Sequence, residues 1–213
     1  MTTNTKRLQQ ITVLKSGGHE PDSTFCLMEA VAYVAGEPWS DAPACACPVL
    51  SAYGRALNDN MDDTDRQLLI PFIPRLVGSK STPEVEQRRG YLMADTAVRV
   101  FAPIALRSAG LDIEAAKLEA LLVIDSPDSA ARAVYAAAHA AHAARAAAHA
   151  AARAAADAVY AVYAADAVYA AAHAVYAADA AGWKPALKLF SQALGIIDNV
   201  RPDPYGVFIK KEE

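Results

Sequence analysis

Apolar residues recur along this chain at the three- and four-residue spacing of helices, not at the alternation of strands. The first clear block, FCLMEAVAYVAG, is apolar nearly all round, which predicts a buried helix. Asp22 or Ser23 is placed to cap its start and Gly36 to stop it, and Glu29 is its only charge. The turn-rich loop EPWSDAPACACP leads into PVLSAYGRALND, where Pro48 suits a first helical turn. Asp62 and Asp63 open DTDRQLLIPFIPRLVG, which Pro71 and Pro74 must kink or end. Ser81-Thr-Pro-Glu84 fits a capping box ahead of PEVEQRRGYLMADTAVRVFAPIAL, and Gly110 ends that element. Asp112 is placed to cap DIEAAKLEALLVI, and Ser126 with Pro127 starts an alanine-rich tract. The closing block PALKLFSQALGIID puts Leu187, Phe190, Leu194 and Ile197 on one side of a helix.

No convincing strand pattern appears, and the tail NVRPDPYGVFIKKEE reads as irregular. Met1 to Lys15 reads as a loose arm, although Leu8, Ile11, Val13 and Leu14 could dock on something. The prediction is therefore an all-α fold. A loose N-terminal arm (1–16) precedes a compact helical domain (17–125), a long alanine-rich helix (126–182), an amphipathic helix (183–200) and a tail (201–213).

The alanine tract is the most unusual part. From Ala130 to Ala181 the chain has 52 residues, 32 of them alanine, and none is Gly, Pro, Ser or Asn. Alanine is the strongest helix former, and a continuous helix of this length would run about 78 Å. Arg132, Tyr135, His139, His142, Arg145, His149, Arg153 and Asp157 step by about 3.6 residues and form a nearly straight stripe. Tyr160, Tyr163, Asp166, Tyr169, His173, Tyr176 and Asp179 extend it at a shorter mean step of about 3.1, so it drifts around the axis. A bare alanine face contributes little hydrophobic free energy but lets helix backbones approach closely. One reading is a solvated spacer; the other is a helix that packs on a neighbour.

Charge order favours the second. The arginines lie in the first half and Asp157, Asp166 and Asp179 in the second, opposite to what the helix macrodipole prefers. An antiparallel copy would set the basic half against the acidic half, so a homo-oligomer formed by helix packing is expected.

Composition narrows the remaining classes. A formal charge of −4 gives no basic field for nucleic acid. No N-terminal apolar run suggests a signal peptide, and no window holds the roughly 18 strongly apolar residues that a membrane span needs. Three cysteines are too few for a disulfide framework, which points to a reducing cytoplasm. Lys80, Arg88 and Arg89 make a small basic spot that reads as a solvated face.

Candidate chemistry is confined to His19, Cys26, Cys45 and Cys47. Together they could supply one nitrogen and three sulfurs, a closed tetrahedral zinc set, although the Cys-Ala-Cys gap is tighter than usual. Alternatively Cys26, near a helix N-terminus, could be a nucleophile with His19 as base and Glu29 or Asp41 as the orienting carboxylate. The plainer reading makes Cys26 a small core hydrophobe. Glu29 then needs a partner, with Arg55 or the Trp39 indole as candidates. His139 and His142 could share a metal across adjacent turns, but His149 lies about 10 Å further along the axis. Phosphate-loop, serine-hydrolase and zinc-protease motifs are absent from the sequence.

CLMEAVAYVAGEPWSDAPACACPVL (Cys26–Leu50) and LLIPFIPRLVGSKSTPEVEQRRGYLMADTAVRVFAP (Leu68–Pro103) resemble segments of uncharacterised bacterial and phage- or prophage-encoded proteins. The resemblance covers about the first half of the chain. It implies a separate N-terminal domain and an alanine-rich C-terminal helix, but no activity. In that pattern a histidine often precedes the proline after Ser-Asp; Ala42 stands there in this chain, which weakens a metal site. The reading that follows is a non-enzymatic assembly protein with itself or a host or phage protein as partner. The alternative is a small zinc- or cysteine-dependent enzyme.

Overall fold

The computed structural model describes residues 4–16, 24–147, 183–196, 200–202 and 208–210. The fold is all-α, as the apolar spacing predicts, and it divides into two compact units. One comprises residues 1–86 and 190–213, the other residues 87–189. The division differs from the predicted 17–125 domain, because the apolar surface of residues 87–125 is spent on the start of the alanine tract.

In the first unit, α1 (Thr5–Leu8), α2 (Leu27–Ala35), α3 (Pro48–Asn60) and α4 (Ile73–Leu76) surround a core that includes Leu27, Met28, Val31, Leu50, Tyr53, Leu57, Leu69 and Ile73. Helix α2 ends at Gly36 with φ 77°, the left-handed conformation that glycine adopts without steric cost. Helix α3 begins at Pro48, as expected. Pro71 and Pro74 hold the next stretch to a 3₁₀ run, Asp65–Phe72, and the single turn of α4, because a proline ring prevents a regular helix. Asp62 caps that run by accepting from the N–H groups of Thr64 and Asp65, each at 2.8 Å.

The N-terminal arm is docked over residues 4–16, not loose. Ile11 and Leu14 are buried. Gln67 holds Leu14 as a neighbouring strand would: its Oε1 accepts from the Leu14 N–H at 2.8 Å and its Nε2 donates to the Leu14 carbonyl at 3.0 Å. Arg7 donates to the Tyr33 carbonyl at 2.8 Å and lies over the Tyr33 ring, placing a cation at the C-terminal end of α2.

Phe190, from the closing helix Trp183–Leu194, completes this core. Its ring stacks on Phe72 with centroids 4.9 Å apart and meets Tyr53 at 5.4 Å. The buried side of that helix runs through Ala186, Leu189, Phe190 and Ala193; Leu187 is half-buried and Ile197 lies outside the described residues. In the tail, Val200–Pro202 pairs antiparallel with Phe208–Lys210, where irregular chain was expected. Three-residue strands are too short for alternation to announce them.

The second unit is built from the rest of α5 (Pro83–Thr96), α6 (Ala102–Ser108), α7 (Asp112–Glu119) and α8 (Pro127–Ala147). Thr82, not Ser81, supplies the cap of α5, accepting from the Val85 N–H at 3.4 Å. Between α5 and α6 the chain widens into a π turn over Ala97–Phe101. Pro103 requires this: it cannot donate to the carbonyl four residues back and its ring would collide there. Helix α7 stops at Glu119, short of the predicted Ile124, and Asp112 is its first residue, without a side-chain cap. Asp95 fixes the following loop by accepting from the Ile124 N–H at 2.9 Å while pairing with Arg99.

Helix α8 lays Ala133, Ala137 and Ala140 into a cluster with Ala94, Val98, Ala102, Leu106, Ala115, Leu118 and Ile124. The alanine face thus has a neighbour within its own chain over this stretch. Small side chains contribute little area each, but they let α8 lie close against the cluster. The predicted continuation from residue 148 to 182 lies outside the described residues.

Candidate functional site

The sequence-predicted thiol region belongs to the first unit. Cys26, not Asp22 or Ser23, is the N-cap of α2. Its Sγ accepts from the Glu29 N–H at 3.5 Å, and its own N–H donates to Glu29 Oε2 at 2.7 Å. The pair forms a capping box with sulfur in place of the usual hydroxyl. This explains a carboxylate in an otherwise apolar helix: Glu29 closes the first turn and puts negative charge at the positive end of the dipole. Arg55, a candidate partner for Glu29, donates instead to the Asp41 carbonyl at 2.8 Å. Trp39 lies against Phe25 with ring centroids 5.1 Å apart.

Burial pushes the Cys26 thiol up to about 12, and the Glu29 carboxylate adds to the rise against the backbone hydrogen bond that lowers it. At neutral pH this sulfur carries its proton, whereas attack on an electrophile and ligation of a metal both use the thiolate. The dipole effect expected at a helix N-terminus is outweighed by desolvation and by the neighbouring carboxylate. Asp41, the other carboxylate considered, is exposed.

Cys45 and Cys47 are buried in the loop before α3. The Cys45 thiol is raised by burial, with a Gly78 backbone hydrogen bond opposing and Glu37 adding. Its carbonyl accepts from the Lys80 N–H at 3.0 Å. Cys47 is the N-cap residue of α3 without a side-chain cap bond, and its N–H donates to Ser79 Oγ at 3.1 Å. These contacts fasten the loop to the Ser79–Lys80 segment. His19 lies outside the described residues. Among the described residues, no three of His, Cys, Asp and Glu are grouped to hold a metal ion, so Cys26, Cys45 and Cys47 do not converge on one point.

The expected basic spot also changes character. Arg88 is exposed, but Arg89 is fully buried.

The second unit offers a surface instead. On α8, Arg132, Tyr135, His139 and His142 are exposed, on the side away from the buried alanines. Tyr135 is 76% exposed, a large apolar body left in water. Leu122 is 74% exposed in the loop between α7 and α8, with Val123 and Ile113 also exposed. The stripe was readable from its helical spacing. The exposure of Leu122 and Val123 was not, because LLVI in sequence reads as core.

No family model, curated protein or solved structure matches the chain. Among the described residues, no helix is long and apolar enough to cross a membrane.

Proposed function

We propose that this chain is a non-enzymatic interaction and assembly protein, of the mobile-element kind that its first half resembles, and that it associates with a second copy of itself through the alanine-rich tract. The observation that carries the reading is the division of labour on α8. Ala133, Ala137 and Ala140 are buried, while Arg132, Tyr135, His139 and His142 are left exposed as a continuous stripe. An exposed tyrosine beside an arginine is the composition of protein–protein contacts. The second copy is the occupant that charge favours, because the basic first half of the tract meets its complement in the acidic second half of an antiparallel partner. Three free cysteines suit a cytoplasmic setting.

The test is size-exclusion chromatography with light scattering over a wide range of protein concentration. A dimer or larger species that dissociates as salt rises is expected. A strict monomer at the highest concentration overturns the reading.

A further inference from the structure

Helix α7 carries apolar residues on two sides, and only one side is covered. Ala115 and Leu118 are buried in the cluster of the second unit. Ile113, Ala116 and Ala120 follow one another at steps of three and four, so they share the opposite side, and all three are exposed. Leu122 and Val123 continue this apolar row past the end of the helix. Ile113 is 69% exposed, Leu122 74% and Val123 55%. A helix with one covered side turns polar residues to water on the other, and α7 does not.

The charges along this row are mostly negative. Asp112, Glu114 and Glu119 lie on α7, and Asp125 and Asp128, both exposed, lie just beyond Val123. The cations among them are Arg107 and Lys117. Arg107 is already paired with Asp112, at 3.3 Å, and with Glu119. Lys117 lies 3.9 Å from Glu114. Carboxylates are thus in excess, and both cations are spoken for within the chain.

We propose that this face of α7 and the following loop docks a cationic amphipathic helix of a partner protein. The helix lays its apolar stripe along Ile113, Ala116, Ala120, Leu122 and Val123 and sets its lysines or arginines against the carboxylates. Charge selects the occupant, because an acidic border is complemented by a basic one. Spacing selects its form, because apolar anchors at steps of three and four match the stripe of a helix. Size limits it. A row of so few side chains offers on the order of a few hundred Å², short of the roughly 800 Å² that each partner of a stable interface buries. That suits one helix better than a second copy of the whole unit. The face belongs to α7 and its loop, not to the α8 stripe, so it does not depend on the self-association proposed above.

The probe is a fluorescent synthetic peptide with leucines on one helical face and lysines elsewhere, titrated with the full-length chain and read by anisotropy. A scrambled peptide of the same composition, whose leucines share no face, should bind about tenfold more weakly. The double variant Leu122→Ser, Val123→Ser should weaken the patterned peptide about tenfold, the worth of one buried aliphatic side chain. Leu68→Ser, which removes an exposed leucine of the first unit, should leave it unchanged. Affinity should fall as salt rises. Circular dichroism confirms that the variants keep the parent's helix content. Equal binding of the patterned and scrambled peptides, or binding that Leu122→Ser, Val123→Ser leaves unmoved, overturns the proposal. Binding that salt does not change overturns the choice of a cationic occupant. A chain that ignores the peptide, and whose own association weakens in Leu122→Ser, Val123→Ser, assigns the row to a second copy and overturns the proposal as well.

Discussion

Arg66 donates from Nε to the backbone carbonyl of Asn58 at 2.7 Å, beneath the last turn of α3. The same guanidinium donates to the Met61 carbonyl and pairs with Asp63. Asn58 in turn accepts from the Leu27 N–H at 3.0 Å and donates to the Lys15 carbonyl at 2.9 Å. A connected polar chain thus runs from the end of α3 to the start of α2 and the docked N-terminal arm. It satisfies carbonyls that a helix end leaves without partners, and it places a cation where the macrodipole favours one.

Replacing Arg66 by Met should therefore cost about 2–3 kcal/mol, because two carbonyls in the buried end of α3 lose their donor. Asp63→Asn should cost less than about 1 kcal/mol. The Asp63 side chain is 73% exposed, so its pairing with Arg66 is screened by water. Urea denaturation of the two variants measures the contrast. Equal losses would mean that the ion pair, not the backbone contacts, gives Arg66 its value.

These contacts mark where sequence reading ends. Gly36, Pro48 and Pro71 act locally, through backbone conformation, and their effects were legible from residue type alone. The stripe on α8 was legible because exposed and buried positions of one helix follow one period. Arg66, Asn58 and Gln67 look like solvated positions in the sequence, yet each satisfies backbone groups of segments that only the fold brings near. Gln67 bonds to Leu14, far back in the chain. Cys26 as a cap was missed for a different reason. Sulfur accepts hydrogen bonds weakly, so Asp22 and Ser23 were the better chemical candidates, although Glu29 three residues on was the visible half of the capping box. That Ala94, Val98 and Leu106 pack with Ala133, Ala137 and Ala140 was not legible either, because amphipathicity shows that a face is buried without showing which face covers it.

Cys26 should make stability fall with rising alkalinity. A thiol raised by burial keeps its proton in the folded chain after the unfolded chain has released its own, at a pKa of about 8.5. Above that pH the unfolded state binds fewer protons, so stability is lost as pH climbs toward about 12. Cys26→Ala should flatten the fall of the urea midpoint between pH 9 and 10, a window chosen below the titration of tyrosine, whose usual pKa is about 10. The buried Cys45 thiol, raised in the same direction, supplies the slope that remains. An unchanged slope in Cys26→Ala would show that this thiol titrates alike in the folded and unfolded chains.

Ala137 and Ala138 are neighbours in a run of identical residues, and only their direction on α8 separates them. Ala137 is fully buried among Val98, Ala102, Leu106 and Ala115, whereas Ala138 is exposed. Leucine and alanine are both strong helix formers, so replacing either residue changes intrinsic propensity little. Packing decides the outcome. Ala137→Leu forces a larger side chain into a cluster whose close approach depends on small residues, and it should cost about 1–3 kcal/mol. Ala138→Leu meets water and should stay within about 0.5 kcal/mol of the parent. Thermal unfolding followed by circular dichroism reads both variants. If they were equally benign, α8 would have no fixed face, and the outward stripe of Arg132, Tyr135, His139 and His142 would lose the rotational anchor that the proposed assembly requires.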